Sequence, residues 1–179
     1  MYPIFRLVKE YVKFRQAAPI EFLEPHESTH ICWPWDLDIW MELNNGRTMT
    51  IMDLGRIIMF NRVGIRHALD QNGWRVTMAG CRVRYRRRIP VWAKLDMKSR
   101  IIGWDGKFFY AEQAMWNSSG DCTTHAIYRA AITTGKGIVP PAKVVEAMGR
   151  DPQSPPLPDW VQGWIGAEDA CPWPPMDQT

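Results

Sequence analysis

Residues Gly46 to Val63 read as a helix with apolar side chains in every sector of the helical wheel: Met49, Ile51, Met52, Leu54, Ile57, Ile58, Met59, Phe60 and Val63. Such a helix cannot lie on a surface. It must be enclosed, so the rest of the chain has to supply a wrapping element. Asn45 stands where an N-cap would accept from the free first-turn amides, and Gly64 follows the last periodic residue as a stop.

The wrapping element is legible downstream. From Trp74 the hydrophobic period changes from 3.6 to 2, with Val76, Met78, Cys81, Val83 and Tyr85 in one run, a break near Pro90, and a second run from Val91 to Trp104. Asp105-Gly106 is a dipeptide suited to a type I′ hairpin turn, leading into Lys107 to Trp116. A turn at Asn117 to Asp121 precedes a last long strand from Cys122 to Thr133, and Thr29 to Trp35 reads as a strand ahead of the helix. The order is strand, buried helix, then four consecutive antiparallel strands. This is an α+β chain in which a curved antiparallel sheet wraps around one central helix, the hotdog architecture. One sheet covers only part of an all-apolar helix, so a second copy is expected to close the open flank as a homodimer, with a tetramer as a further option.

At 179 residues the chain fits one domain with appendages. The expected divisions are an N-terminal helix and linker over 1–25, the hotdog domain over 26–137, and a Pro/Trp-rich extension over 138–179. Residues 3 to 16 form an amphipathic helix in which Ile4, Leu7, Val8 and Tyr11 share a face. That face docks on the body or on a second subunit, or else the basic helix makes peripheral membrane contact with anionic lipid. Nine of the fourteen prolines follow Ile138, with short helical segments at Pro141 to Met148 and Asp159 to Ile165. Trp160 and Trp164 then share a face that anchors the tail or lids a channel.

The formal net charge of +3 resides in residues 1 to 16, where Arg6, Lys9, Lys13 and Arg15 face one acid, Glu10. A neutral body without a recognition motif excludes dedicated nucleic-acid binding. Cysteines at 32, 81, 122 and 171 have no metal-ligand or disulfide spacing, and the histidines are scattered, so no metal is expected. A signal-peptide core and an apolar run of about 18 residues are both lacking, which makes the cytoplasm the default compartment.

Chemistry concentrates between Trp33 and Arg47. On an extended backbone Asp36 and Asp38 would point to the same side. A carboxylate ionised at neutral pH can attack an acyl carbon or take a proton from water. The helix start at Asn44, Asn45 and Gly46 offers amides and a positive dipole end for a developing oxyanion. The bland alternative is that Asp36 and Asn45 only cap local structure.

Asp36-Leu37-Asp38, then Asn44-Asn45, then Asp53 and Arg56 on the helix, resemble the signature D-x-D-x-x-G-H-x-N-N of 4-hydroxybenzoyl-CoA thioesterase-like hotdog proteins. With the hairpin Ile102 to Asp105, the chain is most similar to the branch containing thioesterase superfamily member six. The resemblance, over roughly residues 28 to 135, implies an acyl-CoA thioesterase that needs no cofactor, coenzyme A being part of the substrate. It places the catalytic aspartate on Asp38 and the oxyanion amides near Asn44 and Asn45. Met41-Glu42 stands where the family has Gly-His, and a methionine crowds an approach that glycine leaves open. Glu42 is therefore a candidate acid or base, and a non-catalytic acyl-CoA or lipid binder is the rival reading. Asp53 is the second candidate catalytic acid, with an ion pair to Arg56 as its structural alternative. Arg82, Arg84, Arg86 and Arg88 recur every second residue, either as a solvated strand face or, through Arg82, Arg84 and Arg86, as a grip on the phosphates of coenzyme A.

Overall fold

The computed structural model describes residues 2 to 172 and 174. Helix α1 (Ile4–Phe14) precedes strand β1 (His26–Ile31) and a single 3₁₀ turn at Pro34–Asp36. Helices α2 (Asn45–Arg62) and α3 (Ile65–Asn72) follow, then strands β2 (Arg75–Tyr85), β3 (Lys94–Trp104), β4 (Phe109–Trp116), β5 (Cys122–Thr134) and β6 (Gly137–Val139). Helices α4 (Pro141–Ala147) and α5 (Asp159–Ala170) lie in the tail. The sheet runs β1-β3-β4-β5-β2, every neighbouring pair antiparallel, with β6 added to β5.

The enclosure expected of α2 is present. Toward its C-terminal half, Met59, Phe60 and Val63 join Phe22, Ile101, Phe109 and Val144; toward its start, Ile51 and Met52 join Leu43, Leu95, Met97 and Tyr128. Between the two clusters lies Gly55, where a Cβ would come within 3.0 Å of Ser99 Oγ and also collide with Met97. The helix therefore meets the sheet most closely at its one glycine past the first turn. Arg56 is buried in this contact without being orphaned. It donates to Gln113 Oε1 at 2.8 Å and stacks on the Tyr128 ring, while Gln113 donates onward to Ser99 Oγ and the Met52 carbonyl.

Several local expectations are corrected. The helix N-cap is Asn44 and not Asn45, since Asn44 accepts from the amides of Gly46 and Arg47. The strand before α2 ends at Ile31, because Pro34 opens a 3₁₀ turn; Trp33 and Trp35 stack on one another, and Trp35 is exposed. Gly64 stops α2 with φ +90, yet a third helix follows at once. The β3–β4 connection is no type I′ turn: the Asp105 side chain accepts from the amides of Lys107 and Phe108, and Gly103 with φ +148 marks a bulge just before it. The tail crosses the outer face of the sheet, where Val161 and Leu157 pack with Tyr110 and Ile127, and Trp164 meets Tyr110 edge-on.

The largest departure is α1. Of the face expected to dock on the body, on a second subunit or on lipid, Leu7 and Tyr11 are half-buried while Ile4 and Val8 are exposed together with Phe5 and Val12, and Glu10 is buried at 2% exposure. Specific polar contacts override the hydrophobic period. Arg6 reaches Asp36 at 2.8 Å and the Ile31 carbonyl at 2.7 Å, Tyr2 donates to Asp53, and Phe14 lies edge-on to His26. Under this helix β1 turns His26, Ser28 and His30 inward. Burial first, then nearby Arg62, lowers the His26 pKa to about 4; burial, then Arg6, lowers that of His30 to about 3.

Asp36 is the point on which these segments converge. Fully buried, it pairs with Arg6 of α1 and with Arg47 of α2 at 3.0 Å, and it accepts from the Trp33 amide at 3.0 Å. Removing it takes away the buried carboxylate shared by two partly buried guanidinium groups, so Asp36→Ala should cost about 3–5 kcal/mol in urea unfolding; a loss under about 1 kcal/mol would contradict the role. The two histidines set a second expectation. Their folded pKa values lie below the unfolded value of 6.5, so the unfolded chain binds more protons as pH falls. Their contribution is complete above about pH 6.5 and lost progressively toward about pH 4 for His26 and about pH 3 for His30. The raised Glu10 carboxyl acts in the opposite sense, nearer the carboxylate range. The urea midpoint should drop between pH 7.5 and pH 5, and the drop should be smaller in a folded His30→Gln chain.

Candidate active site

A small hairpin fixes the start of α2. Leu37 bridges Leu43, the Asp38 amide donates to the Glu42 carbonyl at 2.9 Å, and the Met41 amide donates to the Asp38 carbonyl at 3.1 Å. The hairpin is tied into the body because the Leu43 amide donates to the Ile89 carbonyl and the Asn44 amide to the Asp36 carbonyl. Met41 adopts φ +58, the left-handed region in which glycine is favoured. The chain fills this glycine-type conformation with a methionine that is 68% exposed.

Asp36 and Asp38 do not share a side. The 3₁₀ turn at Pro34 breaks the extended backbone on which that expectation rested, so Asp36 turns inward to its arginines while Asp38 stays half-exposed at the hairpin. One Asp38 carboxylate oxygen accepts from the Trp40 amide at 2.8 Å. Among the described residues no cation pairs with it. The carboxylate is oriented by its own hairpin and left with acceptor capacity to spare.

At the helix start, Asn44 Oδ1 takes the amides of Gly46 at 2.8 Å and Arg47 at 3.2 Å. Gly46, a candidate donor by position, is therefore engaged in capping. The Asn45 amide is left as the first-turn donor not consumed by the cap.

Beside it lies a cleft of about 240 Å³ whose wall includes Glu42, Asn45, Thr48, Tyr85 and Arg86 to Arg88. Glu42 forms an ion pair with Arg88 at 3.1 Å, and the Tyr85 hydroxyl donates to the Asn45 carbonyl at 3.3 Å. The two-residue arginine period holds only through Arg84. Arg86 and Arg87 both donate their amides to the Thr123 carbonyl, and the chain then turns from the strand toward the cleft. Of Arg82, Arg84 and Arg86, only Arg86 lines this cleft; Arg82 and Arg84 remain on the exposed surface of β2. Tyr85 and Thr48 carried no motif signal, although each sits beside an element end that the sequence did locate.

Asp53 stands apart from this group. It lies eight residues past Asn45, about 12 Å along the helix axis. Its carboxylate pairs with Arg56 at 2.6 Å and accepts from the Tyr2 hydroxyl at 2.9 Å, which is the structural alternative weighed for it. Among the described residues no cluster of three or more metal-ligating side chains occurs.

Comparison with known proteins bears on this geometry. Residues 32–165 match the model of the thioesterase-like superfamily. The chain is 32% identical to Protein THEM6 of Xenopus laevis over 156 residues, spanning 87% of this chain and 74% of that one. It is 28% identical to Protein THEM6 of Drosophila melanogaster over 142 residues, 76% of this chain and 70% of that one. Among solved structures, the probable thioesterase YbaW of Escherichia coli superposes with a TM-score of 0.64 at 14% identity, covering 68% of this chain and 95% of that one. A 4-hydroxybenzoyl-CoA thioesterase variant complexed with 4-hydroxybenzoyl CoA gives 0.61 at 14% identity, with 69% and 97% covered. A sheet of this order curled around one buried helix, matched over three-quarters of its length by one family model, makes the chain a member of the thioesterase-like superfamily with its hotdog fold.

Proposed function

We propose that the protein hydrolyses acyl-CoA thioesters to free acid and coenzyme A, with Asp38 as the reactive carboxylate. The observation that carries this reading is the division between the two aspartates: Asp36 is sealed by two arginines, while Asp38 is oriented by the Trp40 amide, unpaired, and one hairpin away from an uncapped helix-start amide. As general base, Asp38 takes a proton from water as the water oxygen bonds to the thioester carbon. As nucleophile, it forms a mixed anhydride that water then opens. In either case the Asn45 amide and the α2 dipole stabilise the oxyanion, and its collapse breaks the C–S bond and releases coenzyme A as the thiolate, which takes up a proton. A donor of this type contributes on the order of 3 kcal/mol to such a step.

Arg86, Arg87 and Arg88 beside the cleft suit the phosphates of coenzyme A. Fold neighbours support the ligand class, since one is a complex with 4-hydroxybenzoyl CoA and another a hypothetical thioesterase protein with coenzyme A. A homodimer joined along β2 fits the same reading, because among the described residues β2 pairs with β5 alone and exposes Val76 and Met78. Met41 supports the second reading, a non-hydrolytic acyl-CoA or lipid binder, since it fills a left-handed position beside the reactive group.

Asp38→Asn should lower hydrolysis of an acyl-CoA panel by about 10² or more while leaving the urea midpoint in place; undiminished turnover would remove Asp38 from the chemistry. Met41→Gly exchanges a left-handed strain of about 1–2 kcal/mol for a glycine entropy cost of about 0.5–1 kcal/mol, so the fold should change little in stability. Its kcat should rise if the methionine crowds the thioester. Stoichiometric acyl-CoA binding with no turnover in either the native chain or Met41→Gly would favour the binder.

A further inference from the structure

We propose that the outward face of α1 docks on the surface of an anionic phospholipid bilayer, the helix lying in the plane of the interface. The observation is an inverted amphipathic helix held rigidly in its inverted position. Ile4, Phe5, Val8 and Val12 are 61%, 91%, 54% and 57% exposed, and they fall within an arc of about 100° on the wheel. The other side faces the body: Arg6 is tied to Asp36, Tyr11 accepts from Arg66 at 3.3 Å, Phe14 lies edge-on to His26, and Glu10 is buried. The stripe is therefore displayed by the fold. Beyond the helix it continues into an apolar groove that Trp35 shares with Tyr2, Ile4 and Phe5.

Charge selects the occupant. Lys9 borders the stripe and Lys13, about 40° farther round, lies with its ammonium 4.9 Å from the Phe14 ring centre; both residues are exposed, and neither forms an ion pair among the described residues. Glu10, the only acid of the helix, points the other way. The exposed face thus presents apolar side chains and cations without an anion, which is the pattern of an interfacial helix on anionic lipid. A second copy pairing through the same stripe would set the lysines of both chains against one another. An exposed tryptophan and phenylalanine at the edge suit the headgroup region. The β1 edge, where α1 packs, and the β2 edge stand at opposite ends of the sheet order, so this surface is separate from the edge offered for dimerisation. The inference is independent of the hydrolytic reading.

The test is flotation of the full chain with phosphatidylcholine vesicles containing about one-third phosphatidylserine, against pure phosphatidylcholine. The native chain should float with the anionic vesicles, less so as salt is raised, and at least about ten-fold less with the neutral ones. Phe5→Glu with Val8→Glu should abolish flotation, and Lys9→Glu with Lys13→Glu should erase the anionic preference, each with an unchanged thermal melt because these side chains are exposed. A Phe5→Trp reporter should be quenched by brominated lipid, a readout that needs no loss of function. Three results would overturn the proposal: recovery independent of vesicles, equal flotation of the Phe5/Val8 variant, or a native mass in solution that this variant halves, which would assign the stripe to a second copy.

Discussion

A carboxylate with no exposure to water cannot remain charged unless the fold brings cations to it, and Asp36 obtains two from distant parts of the chain. Arg6 arrives on α1 and Arg47 on the first turn of α2, so one side chain fixes the N-terminal arm, the loop and the start of the enclosed helix relative to each other. Its position near the α2 N-terminus also places negative charge where the helix dipole favours it. Everything that could perform chemistry is stationed from this anchor. Asp38 follows two residues later, and the Asn44 amide that begins the helix donates to the Asp36 carbonyl.

The enclosed helix was legible because it is a one-dimensional signal: apolar side chains around a whole wheel leave no alternative to wrapping. The succession of strands along the chain followed from the change of period and the turn residues, whereas the pairing of β2 with β5 and of β1 with β3 did not show in the sequence. What was illegible depended on partners far away in sequence. The nearby Asp53 announces one partner of the buried Arg56, but nothing near it announces the other, Gln113, whose side-chain oxygen accepts its hydrogen bond from fifty-seven residues on. The side that α1 turns to the body was left open for the same reason. Apolar spacing says which residues are alike and not which side the body takes, and the pairing of Arg6 with Asp36 decided it.

The site shows a finer limit. Asp38 and the helix start were located from motif and spacing, but the notion that Asp36 and Asp38 face one way assumed extended backbone. The signal against it was present in Pro34, a residue suited to the first position of a helical turn. The N-cap differed by one residue, which matters chemically, because an Asn44 cap occupies the Gly46 and Arg47 amides and leaves Asn45 as the donor.

Two non-glycine residues in the left-handed region, Met41 and Trp92, sit on either side of this assembly, each at a cost of about 1–2 kcal/mol. Both are held by backbone hydrogen bonds: the Met41 amide to the Asp38 carbonyl at 3.1 Å and the Trp92 amide to the Cys32 carbonyl at 2.7 Å. Trp92 also meets Trp33 edge-on, within the stack that includes Trp35. The strain is thus over-determined by the hairpin on one side and by aromatic packing on the other. Along the hairpin tip Ile39, Trp40 and Met41 are all exposed. The oriented Asp38 carboxylate is therefore rimmed by apolar side chains, and a substrate that reached it would exchange water for hydrocarbon on arrival. On the proposed reading this suits an acyl group better than a polar one, and it is a property of Ile39, Trp40 and Met41 rather than of the aspartate they border.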